Sequence, residues 1–130
     1  MKIAFVFPGQ GSQTVGMLDA WADSPAVQHA IGVANKALGQ DLGALIAQGP
    51  DTDLNLTTNT QPAMLLSAVA MFEAWLEAGG ALPDLMAGHS LGEYSALTAA
   101  GVLDLADAVK LVRIRANAMQ DAVPVGVGAM

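Results

Sequence analysis

Cysteine is absent from the 130 residues of the chain, so disulfides and thiolate metal sites are both excluded. Basic residues are scarce: Lys2, Lys36, Lys110, Arg113 and Arg115 stand against twelve Asp and Glu, for a formal net charge of −7. So few cations cannot assemble a surface that holds a nucleic-acid backbone, and no nucleic-acid partner is expected. Two histidines, His29 and His89, are too few for a structural zinc site, so no metal is expected either. No apolar run reaches the roughly eighteen residues of a membrane span. The nearest, residues 62–76, is broken by Ser67 and Glu73 and reads as a buried helix, so no membrane partner is expected. Residues 1–7 carry one lysine and a short apolar run before Pro8-Gly9, which lacks the length and cleavage site of a signal peptide. A reducing cytoplasmic location is compatible with all of this.

What is present is 53% apolar residues and only 13% charged ones, the profile of a compact, helix-rich domain with one core. Residues 3–7 form a continuous apolar run of β type, short enough for a strand covered on both faces. Pro8-Gly9 ends it, and a helical stretch is expected from about Thr14 or Val15. Ser24-Pro25 is an N-cap and first-turn pair, followed at helical spacing by Val27, Ala30, Ile31, Ala34 and Leu38 until Gly39. Residues 41–48 read as a shorter helix, and the Thr/Asn-rich residues 51–60 as a loop with one helical turn at 51–54. Pro62 is expected to open a long core helix ending at Gly79-Gly80. Asp104 caps another that reaches about Ala122, with Arg115 beside its apolar stripe. Residues 127–130 read as the start of a further strand. Only residues 3–7 and 85–87 are convincing strands, so the sheet is expected to be incomplete.

Gly88, Ser90 and Gly92 form a Gly-x-Ser-x-Gly pentapeptide between the apolar run 85–87 and a helical stretch from Leu91 to Ala100. Strand, sharp corner and helix are the setting of a nucleophile elbow, which would expose the Ser90 hydroxyl and present the Leu91 N–H to a developing oxyanion. The alternative is an ordinary strand-to-helix turn with Ser90 as its N-cap. Gln10, at the carboxyl end of the first strand, stands where crevice residues of open α/β sheets lie and is a second oxyanion donor. The loop 9–13 lacks the third glycine of a dinucleotide fingerprint and the Gly-Lys-Ser/Thr of a P-loop, so phosphate cradling is set aside. His89 is adjacent to Ser90, and neighbours in a sharp turn diverge. It is therefore read as a polar support of the corner rather than the base. His29 reads as a surface residue. Gln61 either lines the same cleft or caps a helix start. From position alone, the solvated-face reading of Arg115 outweighs that of a carboxylate clamp.

Three stretches together settle that ambiguity by resemblance: Phe7-Pro8-Gly9-Gln10-Gly11-Ser12-Gln13, Thr60-Gln61-Pro62-Ala63, and Gly88-His89-Ser90-Leu91-Gly92-Glu93-Tyr94. In order and spacing over essentially the whole chain they resemble the malonyl-CoA:acyl-carrier-protein transacylases, within the acyltransferase family of fatty-acid and polyketide synthesis. The resemblance implies a partial α/β-hydrolase-like subdomain, with short parallel strands flanked by several helices. Residues 1–122 would be the first part of the large subdomain, and 123–130 the start of a small ferredoxin-like one. It implies transfer of malonyl from malonyl-CoA to the phosphopantetheine thiol of acyl carrier protein through a malonyl-serine, with no cofactor. Ser90 would be the nucleophile, Gln10 and Leu91 the oxyanion donors, and Arg115 the partner of the malonyl carboxylate. Leu91 is similar to malonyl-selective members, whereas methylmalonyl-selective ones tend to carry glutamine there. The catalytic histidine and remaining strands of the family would lie further along than Met130. On that reading the chain is an amino-terminal piece that is not a competent transacylase alone. A serine esterase using the same elbow and a non-catalytic carrier-protein-binding piece are the competing expectations.

Overall fold

The computed structural model describes residues 1–128. Strand β1 (Ala4–Phe7) and strand β2 (Leu85–Gly88) pair in parallel, with Phe7 opposite Gly88 at their carboxyl ends. Between them run the helices α1 (Pro25–Leu38), α2 (Leu42–Gln48), α3 (Asp51–Leu54) and α4 (Thr57–Glu77). After β2 come α5 (Leu91–Ala99) and α6 (Leu105–Ala122). This is an α/β arrangement with an open two-stranded sheet among the described residues.

Local signals account for the starts of α1, α2 and α6 and for the end of α1. Ser24 caps α1, its Oγ accepting from the Val27 N–H at 3.3 Å, and Pro25 occupies the first helical position. Gly39 ends that helix at φ 62°, a left-handed cap that glycine adopts without steric cost. Asp41 and Asp104 cap α2 and α6 through the N–H groups of Ala44 and Ala106. Ser24 also donates to Glu77 Oε2 at 2.6 Å, tying the start of α1 to the end of α4.

Helix α4 is the central element. It is buried on nearly every side from Thr60 to Ala70 and packs against α1, α2, α3, α5 and α6. Leu65 and Leu66 are both fully buried, each contributing about 1.5–3 kcal/mol through removal from water. The inner sheet face, with Phe5, Phe7 and Met86, packs on Phe72 of α4 and on Ala96 of α5. The Phe5 and Phe72 rings meet edge to face with centroids 5.6 Å apart. On the opposite face Val6 is 78% exposed and Leu85 69%, so the sheet is covered on one side only.

Three expectations are corrected. No α-helix starts near residue 14. Turns lead instead to a short 3-10 helix, Asp19–Trp21, because Gly16 sits at φ 82° and commits its N–H to Ile46 of α2. Helix α4 begins at Thr57, and Pro62 lies inside it. The Thr60 hydroxyl bonds the carbonyls of Leu54 and Leu56, and Thr60 and Gln61 are both fully buried, so tertiary packing overrides a loop-like composition. The strand expected at 127–130 is not seen where the chain is described: Val127 closes a turn onto the Pro124 carbonyl, and residues 129–130 lie outside the described part.

Candidate active site

The parallel register brings the end of β1 against the end of β2, and both loops open on the same edge. The His89 N–H extends the ladder to the Phe7 carbonyl, and the chain then reverses into α5. Three glycines permit that corner. A Cβ on Gly88 would collide with the Gly92 carbonyl, and one on Gly92 with the Phe7 carbonyl. One on Gly9 would come within 2.9 Å of the His89 oxygen. Ser90, at the apex, has φ 52° and ψ −115°, and is the one non-glycine residue at positive φ among those described. Such a conformation costs about 1–3 kcal/mol and is held only when the surroundings dictate it.

Ser90 sits at the N-cap position of α5 but makes no side-chain capping bond. The simple N-cap alternative therefore does not account for its hydroxyl. The Oγ instead accepts a bond from Arg115 Nη2 at 3.1 Å. Arg115 is half-buried on α6, and its Nη1 donates to Gln61 Oε1 at 2.6 Å. Its guanidinium lies 5.5 Å from the centroid of the Tyr94 ring, within cation–π range. Gln61 is fully buried, and its Nε2 donates to Met119 Sδ at 3.2 Å. Arg113, two residues before Arg115, points elsewhere because helical neighbours at that spacing diverge by about 200°. It donates to Gln40, and burial lowers its guanidinium from the ordinary value.

Gln10 follows Gly9, so its loop abuts the Ser90 corner. Among the described residues neither the Gln10 nor the Leu91 backbone N–H donates a hydrogen bond, and Leu91 opens α5. Two free donors beside one serine, one of them at a helix N-terminus, suit a developing oxyanion. His89 has no hydrogen bond to Ser90, and its ring carbon Cδ2 lies toward Gly9, in keeping with a supporting place behind the corner. His29 is exposed on α1.

The structure thus brings Ser90, Arg115, Gln61, Gln10, Leu91 and His89 together at one end of the strand pair. Sequence reasoning did not pick out Tyr94 or Thr57. Tyr94 is four residues past Ser90, one turn along the same helix face, and that spacing was an available signal. Thr57 stood in a stretch read as loop, and nothing local marked its bond with Gln10 at 2.9 Å. No group of three or more potential metal ligands is found among the described residues.

The model of the acyl transferase domain matches residues 4–130. Malonyl CoA-acyl carrier protein transacylase of Escherichia coli (strain K12) is 58% identical over 130 residues, which is 99% of this chain and 42% of that protein. The protein of the same description from Bacillus subtilis (strain 168) is 49% identical over 130 residues, covering 99% of this chain and 41% of its own length. Among solved structures, an acyl-carrier-protein S-malonyltransferase from Burkholderia pseudomallei 1710b has TM-score 0.93 and 63% identity over 97% of this chain and 41% of that one. A type II polyketide-synthase acyl-carrier protein in complex with its malonyl-transacylase matches with TM-score 0.90 and 53% identity, over 95% of this chain and 40% of that one. The chain therefore spans about two-fifths of the length of these relatives. With the family match running from β1 to the end of the chain, and the serine corner built as described, the chain belongs to the acyl transferase domain family.

Proposed function

We propose that this chain carries the acyl-accepting part of a malonyl transferase, which moves malonyl from malonyl-CoA to the phosphopantetheine thiol of acyl carrier protein. The observation that carries the reading is the bond from Arg115 Nη2 to Ser90 Oγ: a guanidinium beside an exposed, strained serine. Ser90 Oγ attacks the thioester carbonyl, a C–O bond forms, the C–S bond breaks, and coenzyme A leaves as its thiol with the proton taken from serine. The acceptor thiol then attacks the serine ester, and Ser90 regains its proton. The transfer is redox-neutral, and its atoms balance between the thioester, Ser90 and the acceptor thiol. Gln10 and Leu91 N–H groups stabilise the oxyanion of both tetrahedral intermediates. Arg115, oriented by Gln61, pairs with the free malonyl carboxylate through parallel N–H bonds.

Proton transfer needs a base at hydrogen-bond distance from Ser90, and His89 makes no such bond. On the family resemblance that base is a histidine further along the full acyltransferase domain. Residues 1–122 belong to the large subdomain, and the chain leaves α6 at Val123 toward the small one. Malonyl-CoA and acyl carrier protein are the partners, and both imply the cytoplasm. Mixing the full-length protein with malonyl-CoA and phosphopantetheinylated carrier protein should yield malonyl-carrier protein. Hydrolysis of simple uncharged esters, with no acylated carrier protein, would favour the esterase instead.

A further inference from the structure

Residues 8–14 form neither helix nor strand, yet they hold Gln10 at the serine corner. Their anchors lie in the segment entering α4. Gln10 Nε2 donates to Thr57 Oγ1 at 2.9 Å, and Gln13 Nε2 donates to Asn55 Oδ1 at 2.9 Å. Within the loop, the Gly11 N–H donates to Gln13 Oε1 at 2.8 Å. Thr57 is the first residue of α4, and one turn further along the same helix Gln61 grips Arg115. Thr58, beside it, bonds Asn117 of α6. One helix start therefore fixes both walls of the site, the Gln10 loop through Thr57 and the arginine through Gln61.

The Gln10 carboxamide depends on that single tie. Its Oε1 is buried with no hydrogen-bond partner among the described residues, so the bond from Nε2 to Thr57 is the one polar contact holding the side chain inward. Without it, neither the buried Oε1 nor the partly buried Nε2 would have a partner, and the side chain gains by swinging out to water. The backbone follows, because nothing regular constrains it, and an oxyanion donor displaced by a fraction of an ångström loses much of its effect.

We infer that Thr57 is a positioning residue for acyl transfer: its hydroxyl accepts from Gln10 and so holds the Gln10 N–H in register with the oxyanion of the Ser90 adduct. This rests on the acyl-transfer reading of Ser90. Thr57 touches neither substrate nor serine in this role. Its effect falls on the charge-developing step and leaves the grip of Arg115 on the carboxylate unchanged.

The test uses the full-length enzyme and single-turnover acylation by malonyl-CoA. Removal of an oxyanion donor costs roughly a hundred- to a thousandfold, and displacement without removal should cost about tenfold. Thr57→Val should thus lower the acylation rate about tenfold while the half-saturating malonyl-CoA concentration stays within about twofold, since Arg115 is untouched. Thr57→Ser, which keeps the hydroxyl, should restore the rate. In a Gln10→Ala background, Thr57→Val should add no further loss, because the two act as one unit. Should the valine variant not fold, Thr57→Ala is read by the same criteria. Wild-type rates in the valine or alanine variant, a loss confined to half-saturation, or full additivity with Gln10→Ala would overturn the inference. If the wild type itself is not acylated, or Ser90→Ala still is, the underlying reading of Ser90 fails instead.

Discussion

Replacing Arg115 by alanine tests the division of labour within the site. The guanidinium makes two hydrogen bonds, to Gln61 Oε1 at 2.6 Å and Ser90 Oγ at 3.1 Å, and stacks near Tyr94. A malonyl carboxylate would exchange the serine contact for charge-assisted bonds of about 1.5–3 kcal/mol each. Two such bonds, discounted to the lower bound because Arg115 is half-exposed and water can replace it, leave about 3 kcal/mol. That corresponds to a fall of roughly a hundredfold in kcat/KM for malonyl-CoA. A donor with an uncharged acyl group, such as acetyl-CoA, has no acyl carboxylate to lose, so its kcat/KM should change by less than about tenfold. Arg115→Lys should fall between, because an ammonium is a point charge that cannot hold Gln61 and a carboxylate in one plane. Competing malonyl-CoA and acetyl-CoA turnover in the full-length enzyme reads the ratio directly. Equal losses on both donors would instead make Arg115 a structural support of Gln61 with no grip on the carboxylate. That support has its own signature: alanine leaves the fully buried Gln61 Oε1 unpaired, which should lower unfolding free energy by about 1–3 kcal/mol in denaturant titration.

Ser90→Gly should stabilise the fold by up to about 1–2 kcal/mol in denaturant titration, since glycine tolerates φ 52°, while abolishing acylation; a destabilised variant would contradict the assignment of strain. Gly92→Ala should sharply reduce the yield of folded protein or cost about 3 kcal/mol or more, because its Cβ meets the Phe7 carbonyl of β1 and no flexible side chain there can give way. Asp104→Ala, remote from the site, should cost about 1 kcal/mol of stability by uncapping α6 and leave turnover per folded molecule unchanged.

The serine corner was legible because everything that makes it is local: an apolar run, glycines on both sides of Ser90, and a helix-forming stretch after it. The same holds for both ends of α1 and the start of α6, which follow from Ser24-Pro25, Gly39 and Asp104. The start of α4 was not legible. Its threonines and asparagines satisfy backbone and side-chain partners that only the folded chain brings near, such as Asn117 for Thr58, 59 positions away in sequence. Pro62 compounded this, since a proline in a sequence ordinarily marks a first helical turn. The 3-10 segment after Gly16 was hidden for a similar reason, its N–H being spoken for by a carbonyl on α2. Arg115 was ambiguous from spacing alone, because its role depends on α6 packing across α4 so that Gln61 and Ser90 lie on either side of it. Resemblance to a family favours the clamp, and the hydrogen bonds place the guanidinium between Gln61 and Ser90. Thr57 had neither a motif nor a periodicity to mark it.

Every role proposed for the site depends on Ser90 taking the acyl group. Full-length protein mixed briefly with malonyl-CoA, quenched in acid, digested and analysed by mass spectrometry tests it most directly. One malonyl group is expected, carried on the peptide containing Ser90 and absent from the Ser90→Ala variant. A malonyl group mapped to another residue, or one that persists in Ser90→Ala, would contradict it.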